Sequence, residues 1–141
     1  MAYAAETKAP VSQTQAEIRA MLNKAGADSF GLMEERDRVH LAFELANRKI
    51  RFTIPMPARV DTEAPREKNS REKLTRSRWR ALMLVIRAKL ESVEANIETM
   101  EEAFLSQVQM PSGRTVYEEL KAPIALEYKN KSGVPLLPGP R

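Results

Sequence analysis

From Trp79 to Phe104 eight apolar residues follow one another at steps of 4, 3, 4, 3, 4, 3 and 4: Trp79, Met83, Ile86, Leu90, Val93, Ile97, Met100 and Phe104. Heptad spacing lines one side of a helix and is foreign to a strand. It predicts one long amphipathic helix over residues 69 to about 110. Such a helix is about 60 Å long at 1.5 Å per residue, more than a small sheet can cover. Residues 82–86 (LMLVI) widen the apolar face, so that segment is expected to be buried from two sides. The far half of the seam, Val93, Ile97, Met100 and Phe104, needs another cover. Either a C-terminal helix of the same chain or a second subunit can supply it. An exposed apolar stripe of that size favours a homodimer or higher oligomer, with these four residues at the interface.

The same stretch is charged against its own dipole. Arg71, Lys73, Arg76, Arg78, Arg80, Arg87 and Lys89 come first, against Glu72; Glu91, Glu94, Glu98, Glu101 and Glu102 follow. Helices favour acids at the N-terminus and bases at the C-terminus, by about 0.3–1 kcal/mol per charge near an end. Helix stability therefore does not account for the order. A polyanion, a protein surface or an antiparallel twin would.

Before this stretch the period is two. Phe30 and Leu32, then Val39, Leu41, Phe43 and Leu45, then Ile50, Phe52 and Ile54 alternate with other residues. Three antiparallel strands with one buried and one wet face follow, the third ended by Pro55 and Pro57. The wet face would carry Arg38, His40, Lys49, Arg51 and Thr53, offset by Glu44. A first helix is expected over about 13–25, capped by Ser12 or by Thr14, the latter completing a capping box with Glu17, and with Gly26 as its stop. Residues 58–68 read as a loop. After Pro111-Ser112-Gly113 a short helix capped by Thr115 is expected to about Lys129, with Val116, Leu120, Ile124 and Leu126 facing inward and Pro123 restarting or kinking it. The chain thus reads as a flexible leader over 1–11, one α+β domain over 12–130 and an extended proline-rich tail over 131–141. Its order is helix, three-stranded antiparallel sheet, long amphipathic helix, short C-terminal helix.

Composition limits the functions available. The 141 residues contain no cysteine, which removes disulfides and thiolate metal sites and accords with a reducing cytoplasm. No apolar run reaches the roughly 18 residues that span a membrane. Met1 to Pro10 lacks the order of a signal peptide. The chain has a single histidine, His40, five glycines, no phosphate-binding glycine loop and no nucleophile elbow. Neither enzymatic activity nor a cofactor is expected. Glu34, Glu35, Asp37 and Glu44 read as a solvated turn and strand surface, so no metal is expected either.

The net charge of +4 is compatible with nucleic acid. Residues 66–89 hold nine bases and two acids. Lys49 and Arg51 on the sheet, with Arg71, Arg76, Arg78 and Arg80 on the helix, are the candidate phosphate-neutralising set, because a guanidinium fork matches phosphate oxygens. Aromatic interleaving is sparse: Trp79 is the one aromatic among them, and its heptad position assigns it to the core or an interface.

Three motifs carry a resemblance. Arg48 to Pro57 reads Arg-x-x-Arg-Phe-x-x-Pro-Met-Pro, Arg78 to Leu82 reads Arg-Trp-Arg-Ala-Leu, and Pro111 to Val116 reads Pro-x-Gly-Arg-Thr-Val. In these the chain resembles a family of small uncharacterised proteins of tailed phages and prophages, over most of residues 14–137. The resemblance implies a phage origin and a bacterial host cytoplasm, and no activity. In element order the chain is also similar to double-stranded-RNA-binding domains, without their Gly-Pro-x-His loop and Lys-Lys-x-Ala-Lys helix start. A hairpin sheet followed by a long helix is similar to the core of single-strand annealing recombinases, with no shared motif. The expected function is non-catalytic nucleic-acid binding, to single-stranded DNA or a replication or recombination intermediate. The alternative is a protein–protein module, an inhibitor or adaptor of a host complex acting through the long helix.

Overall fold

A computed structural model describes residues 8–131, 133, 135 and 136. The expected leader over 1–7 and the tail positions 132, 134 and 137–141 lie outside the described residues. The elements are α1 (Val11–Lys24), β1 (Asp28–Glu34), β2 (Arg38–Leu45), β3 (Arg48–Pro55), α2 (Pro65–Glu94), α3 (Met100–Phe104), a 3-10 turn (Leu105–Gln107) and α4 (Val116–Asn130). The architecture is α+β, as the order of periods predicts.

The sheet is antiparallel in the order β1-β2-β3. Ala46 and Asn47 take positive φ, 50° and 61°, in the two-residue turn between β2 and β3. That turn matches the twist of its strands and sets the pairing. Leu41 faces Phe52, Phe43 faces Ile50, and His40 faces Thr53 on the other side. Val39, Leu41, Phe43, Leu45, Ile50 and Phe52 are buried, as the alternation requires, but on the edge strand β1 Phe30 is only partly buried and Leu32 is 38 % exposed, and Ile54 at the end of β3 is partly buried. Trp79, Leu82, Met83 and Ile86 of α2 and Ile18 and Leu22 of α1 are buried with them. Leu90 is partly buried against the same core.

α1 starts at Val11, two residues before its expected start at residue 13. Pro10 is the N-cap residue, with no side-chain hydrogen bond. Thr14 is inside the helix and fully buried, and Glu17 bonds Arg80 of α2 rather than closing a box. Gly26, at φ +90°, does end α1: its N–H donates to Asn23 O and that of Ala27 to Leu22 O. This paired reverse closure needs a left-handed residue, which glycine supplies without strain. α2 starts at Pro65 rather than residue 69, because proline loses nothing at the first helical position.

The main correction concerns the seam. α2 ends at Glu94, not near Met110. Asn96 sits at φ 61°, its N–H donates to Val93 O, and the N–H of Ile97 donates to Ser92 O. This is the same closure as at Gly26, with asparagine in the left-handed position. Thr99 then caps α3 and exchanges bonds with Glu102 in a full capping box. The chain turns, and Phe104 reaches back into the core. Its ring meets Phe43 at 6.0 Å and Phe52 at 6.3 Å, edge-on to both. One heptad pattern therefore serves two helices.

α4 corrects a second expectation. Thr115 caps it with Glu118, and Pro123 lies inside an unbroken helix. None of its residues is buried; Ile124 is 40 % and Leu126 57 % exposed. Three carboxylates at these termini and loops lie below the ordinary value of 4.5: Glu102 and Glu118, bonded first by the backbone N–H of Thr99 and of Thr115, and Glu63, bonded by Arg71. A depressed carboxylate contributes stability above its unfolded value, and that contribution is lost as pH falls through the folded value. The melting temperature is thus expected to begin falling below about pH 4.5. Glu118→Gln should flatten part of that acid limb when melting is followed against pH.

Candidate nucleic-acid interface

The six cations expected to meet phosphate do not form one free face. Arg51 donates to Glu118 Oε1 at 2.6 Å and to the Gly113 carbonyl, pinning the start of α4 to β3. Arg71 grips Glu63 through Nε and Nη2 at 2.8–3.1 Å, with both side chains largely covered. This pair raises the arginine's affinity for its proton and lowers that of the carboxyl. Arg80 bonds Glu17 at 2.5 Å, joining α2 to α1. Arg78 donates Nε–H to the Pro55 carbonyl at 2.5 Å and closes the end of β3. Bidentate and partly buried arginine pairs of this kind hold a fold together, and opening one leaves a charge without compensation.

The reversed charge order of α2 thus has an internal use. Val11 lines one cleft with Thr75, Glu17 bonds Arg80, and Met21 lines another cleft with Arg87, so α1 runs parallel to α2. The acid of α1 meets the basic half of α2.

What remains is a groove at the start of α2. A cavity of about 550 Å³ is lined by Val11, Glu34, Glu35, Arg36, Val39, Met56, Pro57, Arg59, Arg71, Thr75 and Trp79. A second, of about 380 Å³, is lined by Lys8, Pro10, Val11, Arg71, Glu72, Thr75 and Arg76. They share Val11, Arg71 and Thr75, so they form one channel along the helix. Arg76 lies in it half-buried, and its Nε is inaccessible to water with no hydrogen-bond partner among the described residues. Such a donor is costly to leave unmade. Arg66 and Lys73 of the same helix are exposed, and no carboxylate among the described residues lies within ion-pair reach of either. Lys68 and Arg59 act on Glu63 only through their field. Arg66, Lys68, Lys73 and Arg59 lay outside the expected set. Arg66, Lys68 and Lys73 belong to the basic run of residues 66–89, so composition carried their signal; Arg59, in a segment with nearly as many acids as bases, had none.

On the sheet, Lys49 is exposed, and His40 is held between Thr53 Oγ1, 3.0 Å from Nδ1, and Glu35 Oε1, 3.4 Å from Nε2. A sheet face with Arg51 committed to Glu118 offers little positive charge. Of the four seam residues, Phe104 is fully buried in its own chain and is corrected from interface to core. Val93 and Met100 are partly buried and line a separate cleft, and Ile97 is 77 % exposed on the turn after α2. No group of acids and histidine that could hold a metal ion occurs among the described residues. No described helix is long and apolar enough to cross a membrane. Comparison of the chain with family models, with curated proteins and with solved structures gave no match.

Proposed function

We propose that this protein binds a nucleic-acid strand without catalysis, through the cationic groove at the start of α2 rather than through the sheet face. The observation that carries this reading is the buried Nε of Arg76, without a partner among the described residues, in a channel also lined by Lys8, with exposed Arg66 and Lys73 on the same helix, neither paired among the described residues. A phosphate would pair with the Arg76 guanidinium once that side chain turns out into the groove, and the exposed cations would follow the backbone on either side. Trp79, the one aromatic among the described residues lining the groove, is only 2 % exposed and offers no stacking platform, so weak sequence preference is expected. On the sequence resemblance, the protein is read as a phage-type protein acting in a bacterial cytoplasm on single-stranded DNA or a replication or recombination intermediate. The protein-module alternative keeps one specific support, the uncovered apolar side of α4.

Titration of labelled single- and double-stranded DNA and RNA at two salt concentrations tests the reading. With about four phosphates neutralised, affinity for a single strand should fall roughly fifty-fold between about 50 and 200 mM salt. The double variant Arg66→Glu and Lys73→Glu, both at exposed positions, should abolish binding with little change in melting. Arg78 and Arg80 are unsuitable for reversal, since each holds the fold through an internal bond. Absence of binding at micromolar protein in low salt, or binding indifferent to salt, would overturn the proposal and leave the protein-module reading.

A further inference from the structure

α4 carries Tyr117, Leu120, Ile124 and Tyr128 along one side, spread over about 16 Å of helix. In its own chain this helix packs mainly on the 3-10 turn. Tyr117 remains 54 %, Ile124 40 % and Tyr128 81 % exposed. A helix of 15 residues is marginal by itself and ordinarily depends on an apolar face that is covered.

A groove of about 420 Å³ lies where α1, α2 and α3 meet. Met21, Ala25, Leu90, Val93 and Met100 supply its apolar lining, and no described residue after Met100 lines it. Its two edges differ in charge. The α2 edge carries Glu91 and Glu94, with Arg87 at its start; the α1 edge carries Lys24. The acids are the half of α2 that opposes the helix dipole and that the α1 contacts leave unused. Arg87 and Glu91 form a 3.3 Å pair, but both are more than half exposed, so the pair holds them weakly.

The stripe on α4 has matching flanks. Lys121 and Glu127 are six residues apart, which places them about 120° apart around the helix, on either side of Ile124; Glu127 already accepts the Gly133 N–H at 2.5 Å through Oε1. An apolar stripe bordered by one base and one acid meets an apolar groove bordered by acids on one edge and a base on the other. We propose that α4 of a second copy of this chain seats in this groove, with Ile124 on Leu90 and Val93, Lys121 at the Glu91–Glu94 edge and Glu127 at Lys24. Reciprocal exchange fills both grooves and closes the assembly as a twofold dimer. The proposal stands apart from the strand-binding reading, because the two surfaces share no residue.

Sedimentation of the full chain across a wide concentration range tests it. The expected species has twice the 16.0 kDa chain mass. Ile124→Glu, at an exposed position that leaves the fold intact by circular dichroism, should return the monomer. Lys121→Glu should weaken the dimer about tenfold, and Glu94→Lys added to it should restore association. A monomer at every concentration overturns the proposal, as does a dimer indifferent to Ile124→Glu. Dissociation by Lys121→Glu that Glu94→Lys does not rescue places the contact elsewhere and overturns the groove. A monomer that captures a different protein through Ile124 overturns the second copy as occupant.

Discussion

Replacing Phe104 by alanine is expected to remove about 3–5 kcal/mol of folding stability and to lower the melting temperature by roughly 10–20 °C. The ring is fully buried. It stands edge-on to Phe43 and Phe52, whose own rings are 6.3 Å apart and nearly parallel. Truncation removes the transfer energy of the ring, two aromatic contacts and the plug beneath β2 and β3. The surrounding strands are hydrogen-bonded and cannot collapse far into the void, which puts the cost at the upper end for such changes. A domain of this size has about 5–15 kcal/mol in total, so the variant should be partly unfolded in mild urea. The result separates two arrangements. If Phe104 lay on the outer face of one continuous helix, alanine would dissociate an oligomer and leave monomer melting unchanged. Urea denaturation together with sedimentation reads both quantities at once.

Trp79→Ala should cost a similar amount, about 3–5 kcal/mol, with a further consequence for binding. Trp79 is 2 % exposed and lines the larger cavity beside Val39, Arg71 and Thr75. It seats α2 on the sheet one turn after Thr75, whose hydroxyl bonds the Arg71 carbonyl. Loss of the indole would loosen the part of α2 that holds Arg71 against Glu63 and Arg76 in the groove. Strand affinity should therefore drop along with stability, although Trp79 touches no solvent-facing phosphate position. Trp79→Phe, which keeps most of the buried ring, should retain most of both. Affinity unchanged in a destabilised Trp79→Ala protein would separate the groove from the core and remove α2 seating from the account of binding.

The strands were legible because alternation is a local property. A residue at one position of β2 points to the core for the same steric reason as the residue two positions on, whatever the rest of the chain does. Val39, Leu41, Phe43, Ile50 and Phe52 could be assigned inward, and all five are buried. The stop at Gly26 and the cap at Thr115 were legible for a similar reason, since backbone groups within a few residues satisfy them. The break at Asn96 was written in the same local language but outweighed by the heptad steps on both sides of it. Asparagine tolerates the left-handed conformation, and Thr99 with Glu102 spells a new helix start. Apolar spacing cannot tell one helix from two whose faces meet the same core.

The candidate site divides along the same line. That residues 66–89 carry a surplus of positive charge is a property of composition, and the sequence by itself determined it. Which of those charges remain available was decided by tertiary structure alone. Glu17 and Glu63 lie 63 and 8 residues from Arg80 and Arg71, and Glu118 lies 67 residues from Arg51 of the sheet. Only the parallel docking of α1 on α2, the loop before Pro65 and the cap of α4 bring them within hydrogen-bond reach. An ion pair depends on separation in space, and no periodicity along the chain encodes it.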